Sequence, residues 1–328
     1  MIRFLRGSGA GPVFVLILTA LGLWGEYFIS PPRLADTPGI HAMPLWTYIS
    51  GAFEGSPLMA VTVSFALSLA LAIVLVRFNI SIFFIPRRTI LPALLFLLLY
   101  SVFPGEMVLN PALPASLLIV AALWRMISSY RVNGMSFKFF DAALMISSAG
   151  LLYAGSVWLI PIVFIGALIL RTPDFRELIL AVAGALLPWI VMYAVWYVTG
   201  GDPGELTDTI RIALFGEAPS VYWSRTLVIL LIVTGLLFLP SLVYLAREMP
   251  TYKIRSRKTY EILLWVLVIC AAAYIFIPAV SAELMAVAAL PVSFIIANYM
   301  AFTRRTVTAE ILFWIMVTMI IVARLWPY

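Results

Sequence analysis

Residues 57–77 read PLMAVTVSFALSLALAIVLVR, a run of 20 residues without a formal charge, closed by Arg77. A helix rises about 1.5 Å per residue, so some 20 apolar residues match the roughly 30 Å hydrocarbon layer of a bilayer. Lipid offers no hydrogen-bond partners, so a spanning segment must satisfy its own backbone, which a helix does. Comparable apolar runs recur on both sides of this one. The candidate spans are 11–28, 57–76, 89–103, 112–127, 141–155, 157–170, 178–198, 226–246, 261–278, 284–302 and 309–324. The pair 141–155 and 157–170 reads as two short tilted crossings or as one re-entrant hairpin. The chain therefore makes about 11 crossings, or nine plus the hairpin.

Composition agrees. Over 328 residues, 64% are hydrophobic and 11% charged, and the mean hydropathy is +1.08. Soluble domains are near half apolar and a quarter charged. No polar stretch is long enough to form a separate soluble domain. The expected fold is all-α: a polytopic transmembrane helix bundle, with residues 1–328 forming a single integral membrane domain. The apolar run from Pro12 to Leu23, preceded by Arg3 and Arg6, resembles a signal peptide. Trp24, Glu26, Tyr27 and Phe28 stand where small cleavage-site residues would be, so the run reads as a retained first helix.

Basic residues orient the threading, because cytoplasmic loops carry an excess of Lys and Arg. With the amino terminus inside, 17 of the 21 Lys and Arg fall on the cytoplasmic side, and only Arg33, Arg211, Arg225 and Arg324 fall outside. The carboxyl terminus then lies outside. Trp24, Tyr27, Trp46, Tyr48, Trp196 and Tyr197 gather at the outer end of the spans, as an aromatic belt would. The two longer outer loops are 29–56 and 199–225. In the second, Asp202-Pro203-Gly204-Glu205 reads as a helix start, and Leu206, Ile210 and Leu214 repeat at helical spacing opposite Asp208 and Arg211. This predicts a short amphipathic helix over about 203–215, lying on the outer leaflet. The net charge of +6 is spread over every inner loop, which argues against a nucleic-acid partner. The partners expected from this pattern are membrane lipids.

Charges close to lipid are costly, and each asks for a reason. For an acid, the ordinary one is a helix start, where unpaired N–H groups and the macrodipole favour a carboxylate. Asp141, Asp174, Glu177, Glu261 and Glu310 read as starts of outward-running helices, and Glu54, Glu106 and Glu283 as starts of inward-running ones. Glu26 breaks this pattern. It closes the first helix at its outer, C-terminal end, where the macrodipole disfavours an anion by about 0.3–1 kcal/mol. Glu26 and Asp36 are therefore candidate catalytic acids or bases. His41, Glu54 and Glu106, in the same loop and the next outer one, are candidate substrate-binding groups. The basic segment from Arg247 to Lys258 reads as a topology determinant attracted to anionic lipid, with a lipid diphosphate as a sharper alternative. One histidine, His41, and one cysteine, Cys270, exclude a His/Cys metal site, and no motif indicates a cofactor. No H-E-x-x-H and no P-loop occurs.

The stretch Arg87-Arg88-Thr89-Ile90-Leu91-Pro92-Ala93-Leu94-Leu95-Phe96, with Phe139-Phe140-Asp141-Ala142-Ala143-Leu144 and Leu168-Ile169-Leu170-Arg171, resembles an uncharacterised family of polytopic inner-membrane proteins of Bacteroidota. Arg171 is the most motif-like charge in that resemblance and joins the candidate substrate-binding residues. A second, fainter likeness is to multi-helix (GT-C-type) lipid-linked-sugar glycosyltransferases. That superfamily places a catalytic acid just after its first helix and an amphipathic helix on the outer leaflet. Glu26, and less closely Asp36, match the acid's placement here. The first outer loop is shorter than in that superfamily, and a large carboxy-terminal outer domain is lacking. The resemblances imply a transferase using a polyprenyl-linked donor, with a permease or lipid flippase and a non-catalytic subunit of a cell-envelope assembly as alternatives. The threading itself is testable. Cysteines placed at Lys253 and Arg305 are expected to react with an impermeant maleimide only after the inner membrane is opened, and labelling in intact spheroplasts would reverse the orientation.

Overall fold

The computed structural model describes residues 7, 9–32, 43–53, 55–82, 84–85, 89–102, 107–130, 137–171, 174–217, 225–303 and 306–325. Among them every regular element is helical. The helices are α1 (Ala10–Ile29), α2 (Pro44–Gly51), α3 (Pro57–Ile82), α4 (Leu91–Tyr100), α5 (Ala112–Ile127), α6 (Lys138–Leu152), α7 (Pro161–Leu170), α8 (Phe175–Val198), α9 (Pro203–Phe215), α10 (Arg225–Glu248), α11 (Ile254–Phe276), α12 (Leu284–Phe302) and α13 (Thr306–Leu325). Short 3₁₀ turns precede α7 (Ala154–Leu159) and follow α10 (Met249–Thr251). Six helices, α1, α3, α8, α10, α11 and α12, are long and apolar enough to cross a membrane. The protein is thus a helical integral membrane protein. Shorter apolar helices fill the spaces between the long ones.

Helices α4 and α12 form the centre and pack on each other, with α1, α3, α5, α10 and α11 around them. All ten residues of α4 are buried, as is 83% of the apolar window of α12. A helix that is apolar all round must be covered on every side. In α8 and α10 only 17% and 22% of the window is covered by protein, and the rest faces outward as lipid-facing surface.

Helix α4 is too short to cross. Its ten residues rise about 15 Å, half the hydrocarbon thickness. Residues 101–102 and 107–111, which follow it, are buried. Irregular backbone at this depth is tolerated only when protein groups satisfy it, and they do. The Ser101 hydroxyl donates to the Leu98 carbonyl (2.7 Å), and Ser64 Oγ donates to the Met107 carbonyl (2.8 Å). Asn110 donates from Nδ2 to Tyr100 Oη (3.2 Å), while its Oδ1 accepts from Leu113 N and caps α5 (3.1 Å). The Tyr100 ring stacks on Trp24 of α1, with centroids 6.2 Å apart.

Helices α6 and α8 cross most intimately. Ser147 Oγ donates to the Ala185 carbonyl (2.5 Å). A Cβ built on Gly184 would lie 2.5 Å from the Phe140 carbonyl oxygen. Small residues at such a crossing let two backbones approach, which is what drives helix association in lipid.

Two sequence-based expectations change. Trp24 and Trp46 are not belt anchors, since both are buried within the bundle, whereas Tyr48 and Tyr197 are exposed. Glu261 does not start a helix: α11 begins at Ile254, and Glu261 pairs with Arg257 across one turn (3.6 Å).

The α6–α8 crossing yields a prediction. Gly184→Leu is expected to cost about 1–3 kcal/mol through overpacking against backbone that cannot move aside. Gly22→Leu, at a position with nothing within 4 Å, is expected to be near neutral. Thermal unfolding in detergent measures both, and equal melting temperatures would contradict the crossing.

Candidate functional site

The helix ends sort into two faces. At one face meet the end of α5, the start of α6, the end of α7, and the starts of α8 and α11. Arg125 Nε donates to Asp141 (2.6 Å), joining α5 to α6. Lys138 Nζ donates to the Ser128 carbonyl (2.6 Å). Arg171, just past α7, pairs with Glu177 in the first turn of α8 and lies 5.5 Å from the centre of the Phe139 ring. Lys258 Nζ donates to the Leu170 carbonyl (2.9 Å) and sits 5.3 Å from the centre of the Tyr130 ring.

The same face holds a buried aromatic and amide cluster. Asn298 Nδ2 donates to Tyr252 Oη (2.9 Å), and the Tyr252, Tyr260, Phe84, Phe294 and Phe78 rings contact one another in sequence. Asn79 Oδ1 accepts from Ile85 N (3.2 Å) and closes the end of α3.

Arg171 is covered rather than solvated, whereas Arg125 is half exposed. Glu177 is 2% exposed and Arg171 18%. Lys138, at the outermost turn of α6, has its ammonium pKa lowered, first by burial and then by Arg125, Arg171 and Arg255. Helix α11 carries Arg255 in its first turn and no acid there. Cations at that end of a helix are disfavoured by about 0.3–1 kcal/mol each. Helices α6 and α8, by contrast, carry Asp141 and Glu177 in their first turns, as the dipole prefers.

At the opposite face lie the ends of α1, α4 and α8, the starts of α3 and α5, and helices α2 and α9. Helix α9 starts with the Asp202 side chain accepting from Gly204 N (2.9 Å). Its Leu206, Ile210 and Ala213 are buried. It is fixed to α8 by the Tyr193–Thr207 hydroxyl pair (3.0 Å) and to the 3₁₀ turn before α7 by the Trp158–Phe215 ring contact (6.0 Å). Residues 138–171 therefore form an out-and-back hairpin between the two faces. Glu283 begins α12 at 1% exposure, where Ser281 Oγ donates to it (3.4 Å).

The candidates fall apart in space. Glu26 is exposed in the last turn of α1, two residues beyond the buried Trp24. Asp36, His41, Glu54 and Glu106 lie outside the described residues. Arg171 belongs to the other face. The 16 residues of α5 alone put about 24 Å between the two ends, so Arg171 and Glu26 cannot touch one small substrate group. The groups the sequence reading missed are Arg125 and Lys138, which it took for topology alone; Arg255 and Lys258 it named only within the basic segment from Arg247 to Lys258, as a topology determinant or a site for a lipid diphosphate. Their signal is position: each lies within a turn or two of a helix end that the fold brings to the same spot. No group of three or more His, Cys, Asp or Glu side chains able to hold a metal occurs among the described residues. A shallow apolar groove runs along α13 between Val307 and Thr318, with Trp314 in its wall; one helix lines it, and it faces outward.

Described residues that are helical throughout their regular elements and include six spanning-length apolar helices make this a polytopic membrane protein. It belongs to a family of unknown function (DUF6427), which covers residues 48–326. Arg171 and the whole basic face fall within that span, whereas α1 and Glu26 precede it. No curated protein and no solved structure matches the chain.

The buried pair sets the next expectation. Arg171→Gln leaves the Glu177 carboxylate without its guanidinium and should cost about 3–5 kcal/mol, while Arg171→Gln/Glu177→Gln should recover most of that loss. Unfolding of both variants in detergent checks this, and a double variant as unstable as the single would show that the pair is not the coupled unit.

Proposed function

We propose that the protein is a multi-pass protein of the bacterial inner membrane that transfers a group from a polyprenyl-linked donor at its outer face. In this reading the amino terminus is cytoplasmic and the basic face is the cytoplasmic one. Eleven segments alternate across the bilayer, ten of them as helices (α1, α3, α5–α8 and α10–α13) and one as half-depth α4 completed by the irregular backbone that follows it, and α2 and α9 lie along the outer leaflet. The sorting of helix ends into a cation-rich face and an opposite face supports this orientation through the charge bias of cytoplasmic loops.

The observation that carries the reading is Glu26: an exposed carboxylate at the end of α1, two residues past Trp24, whose ring stacks on Tyr100 where α4 ends. A carboxylate placed there serves as a general base. It accepts the proton of an acceptor hydroxyl as that oxygen attacks the anomeric carbon of the donor sugar, and the polyprenyl phosphate departs with the bonding electrons of the broken C–O bond. The outward apolar faces of α8, α10 and α13 supply surface for a long isoprenoid tail. A lipid flippase is the second reading, favoured by the fixed cations at the face opposite Glu26, which would receive a headgroup phosphate. The sparsely covered faces of α8 and α10 also suit packing against a partner of a cell-envelope assembly.

Glu26→Gln separates these readings. If Glu26 is the base, lipid-linked donor accumulates and turnover falls by about 10²–10⁴-fold at unchanged protein level. Wild-type turnover in that variant removes the transferase reading. Mass spectrometry of lipids co-purified with the wild-type protein should find a polyprenyl phosphate species, and bulk phospholipid alone would count against it.

A further inference from the structure

We infer that the basic face contains a built site for a phosphate oxyanion, formed by Arg255 and Lys258 of α11 together with the end of α5 around Ser129. The inference does not rest on Glu26, which lies at the other face.

Cations that serve only to orient a membrane protein need nothing more than water around them. Here they are held. Lys258 is fixed by the Leu170 carbonyl and the Tyr130 ring rather than extended toward solvent. Arg255 Nε is buried and has no hydrogen-bond partner, and neither Arg255 nor Lys258 forms an ion pair with a carboxylate among the described residues. The Ser129 hydroxyl, in a fully buried residue beside the Tyr130 that underlies Lys258, also lacks a partner. Unpaired buried donors are rare and costly. Lys258, over the Tyr130 ring, links the two here, with Arg255 three residues before it on α11 and Ser129 next to Tyr130 in sequence. A guanidinium N–H, an ammonium and a hydroxyl are donors that suit a phosphate.

Charge points the same way. Arg125, Lys138, Arg171, Arg255 and Lys258 gather at this face; among its carboxylates Asp141, Glu177 and Glu261 are engaged by Arg125, Arg171 and Arg257, and neither these nor Asp174 or Glu248 forms an ion pair with Arg255 or Lys258. Arg255 and Lys258 are three residues apart on α11 and therefore on one side of it. They stand at the positive end of the helix dipole, where only an added anion makes their placement favourable. The ring therefore carries an excess of positive charge over a region partly screened from water, at headgroup depth. The ligand is a phosphate group, from an anionic lipid headgroup or free in solution.

The test uses the full-length protein in nanodiscs of phosphatidylcholine doped with phosphatidic acid, reading retained lipids by native mass spectrometry. It compares wild type, Arg255→Gln/Lys258→Gln, and a control pair, Arg247→Gln/Lys253→Gln, which removes the same formal charge from exposed positions near the same face. Wild type and control should retain phosphatidic acid preferentially, and the site pair should lose that preference by about tenfold or more, the worth of one or two charge-assisted hydrogen bonds. Arg255→Lys keeps the charge but not the planar donor fork and should also weaken retention, which covers the case in which the double variant does not fold. Inorganic phosphate is added in a second arm. If it displaces the lipid and raises the wild-type melting temperature, the ligand is a free phosphate; if it does neither, the ligand is a headgroup. Equal losses in the site and control pairs would overturn the site in favour of diffuse surface charge. So would a wild type with neither lipid preference nor phosphate response.

Discussion

A bilayer interior provides neither hydrogen-bond partners nor counter-ions, and every feature of this structure is an answer to that deprivation. Most of the chain answers with uninterrupted helix. Where helix stops at half depth, after Tyr100, the answer is a set of short side chains: Ser64, Ser101 and Asn110 supply to the backbone what water would supply elsewhere. Where charge enters the covered region, the answer is pairing, as Arg171 shows with the almost wholly buried Glu177. A buried ion pair repays its desolvation only when geometry and further contacts are good. The Phe139 ring beside Arg171 is one such contact.

The same constraint explains the central position of α4 and α12. Lipid is as apolar as leucine, so burying leucine in protein instead of lipid gains little, and helix association depends on close packing and polar contacts. Helix α4 carries polar satisfaction at both ends: Thr89 Oγ1 accepts from Leu91 N (3.2 Å) below it, and the Tyr100–Asn110 contact lies above. It is therefore held among its neighbours although too short to span. Helix α12 contributes Ser293 and Asn298 to the interior and takes its place beside α4 in the same way.

The helical, membrane-embedded character of the chain was legible from run length and composition, because both depend on local sequence alone. The boundaries of α5 and α12 follow for the same reason: Pro111 and Ser128, and Glu283 and Thr303, flank predominantly apolar stretches at 112–127 and 284–302. What local sequence could not carry was depth and neighbourhood. The 89–103 run has the composition of a crossing, yet only ten residues become helix, because Asn110 and Ser64 give the backbone an alternative to continuing. Trp24 has the composition of an interfacial anchor, yet Tyr100 and Phe65 enclose it. Of the candidate site residues, Glu26 could be placed at a helix end by counting, whereas the role of Arg171 depends on Glu177 folding back onto it from the next helix.

That dependence bears on how the basic face arose as one region. Arg125, Lys138, Arg171 and Lys258 are separated by as many as 133 residues, from 125 to 258, and each alone reads as an ordinary inner-loop cation. The hairpin of α6 and α7 changes this. By returning residue 171 to the level of residue 138, it sets the Phe139 ring under Arg171 and leaves the Leu170 carbonyl, at the end of α7, to be met by Lys258 from α11. A helix C-terminus with unsatisfied carbonyls attracts a cation, and α7 ends where α11 begins. Lys258 is thereby drawn inward to a backbone oxygen that bears only a partial charge, and Arg255 on the same side of α11 is carried in with it. The helix-end geometry that stabilises the hairpin thus gathers at one spot cations that no carboxylate among the described residues pairs with, Arg255 and Lys258, from elements that individually serve only to stop and turn a helix.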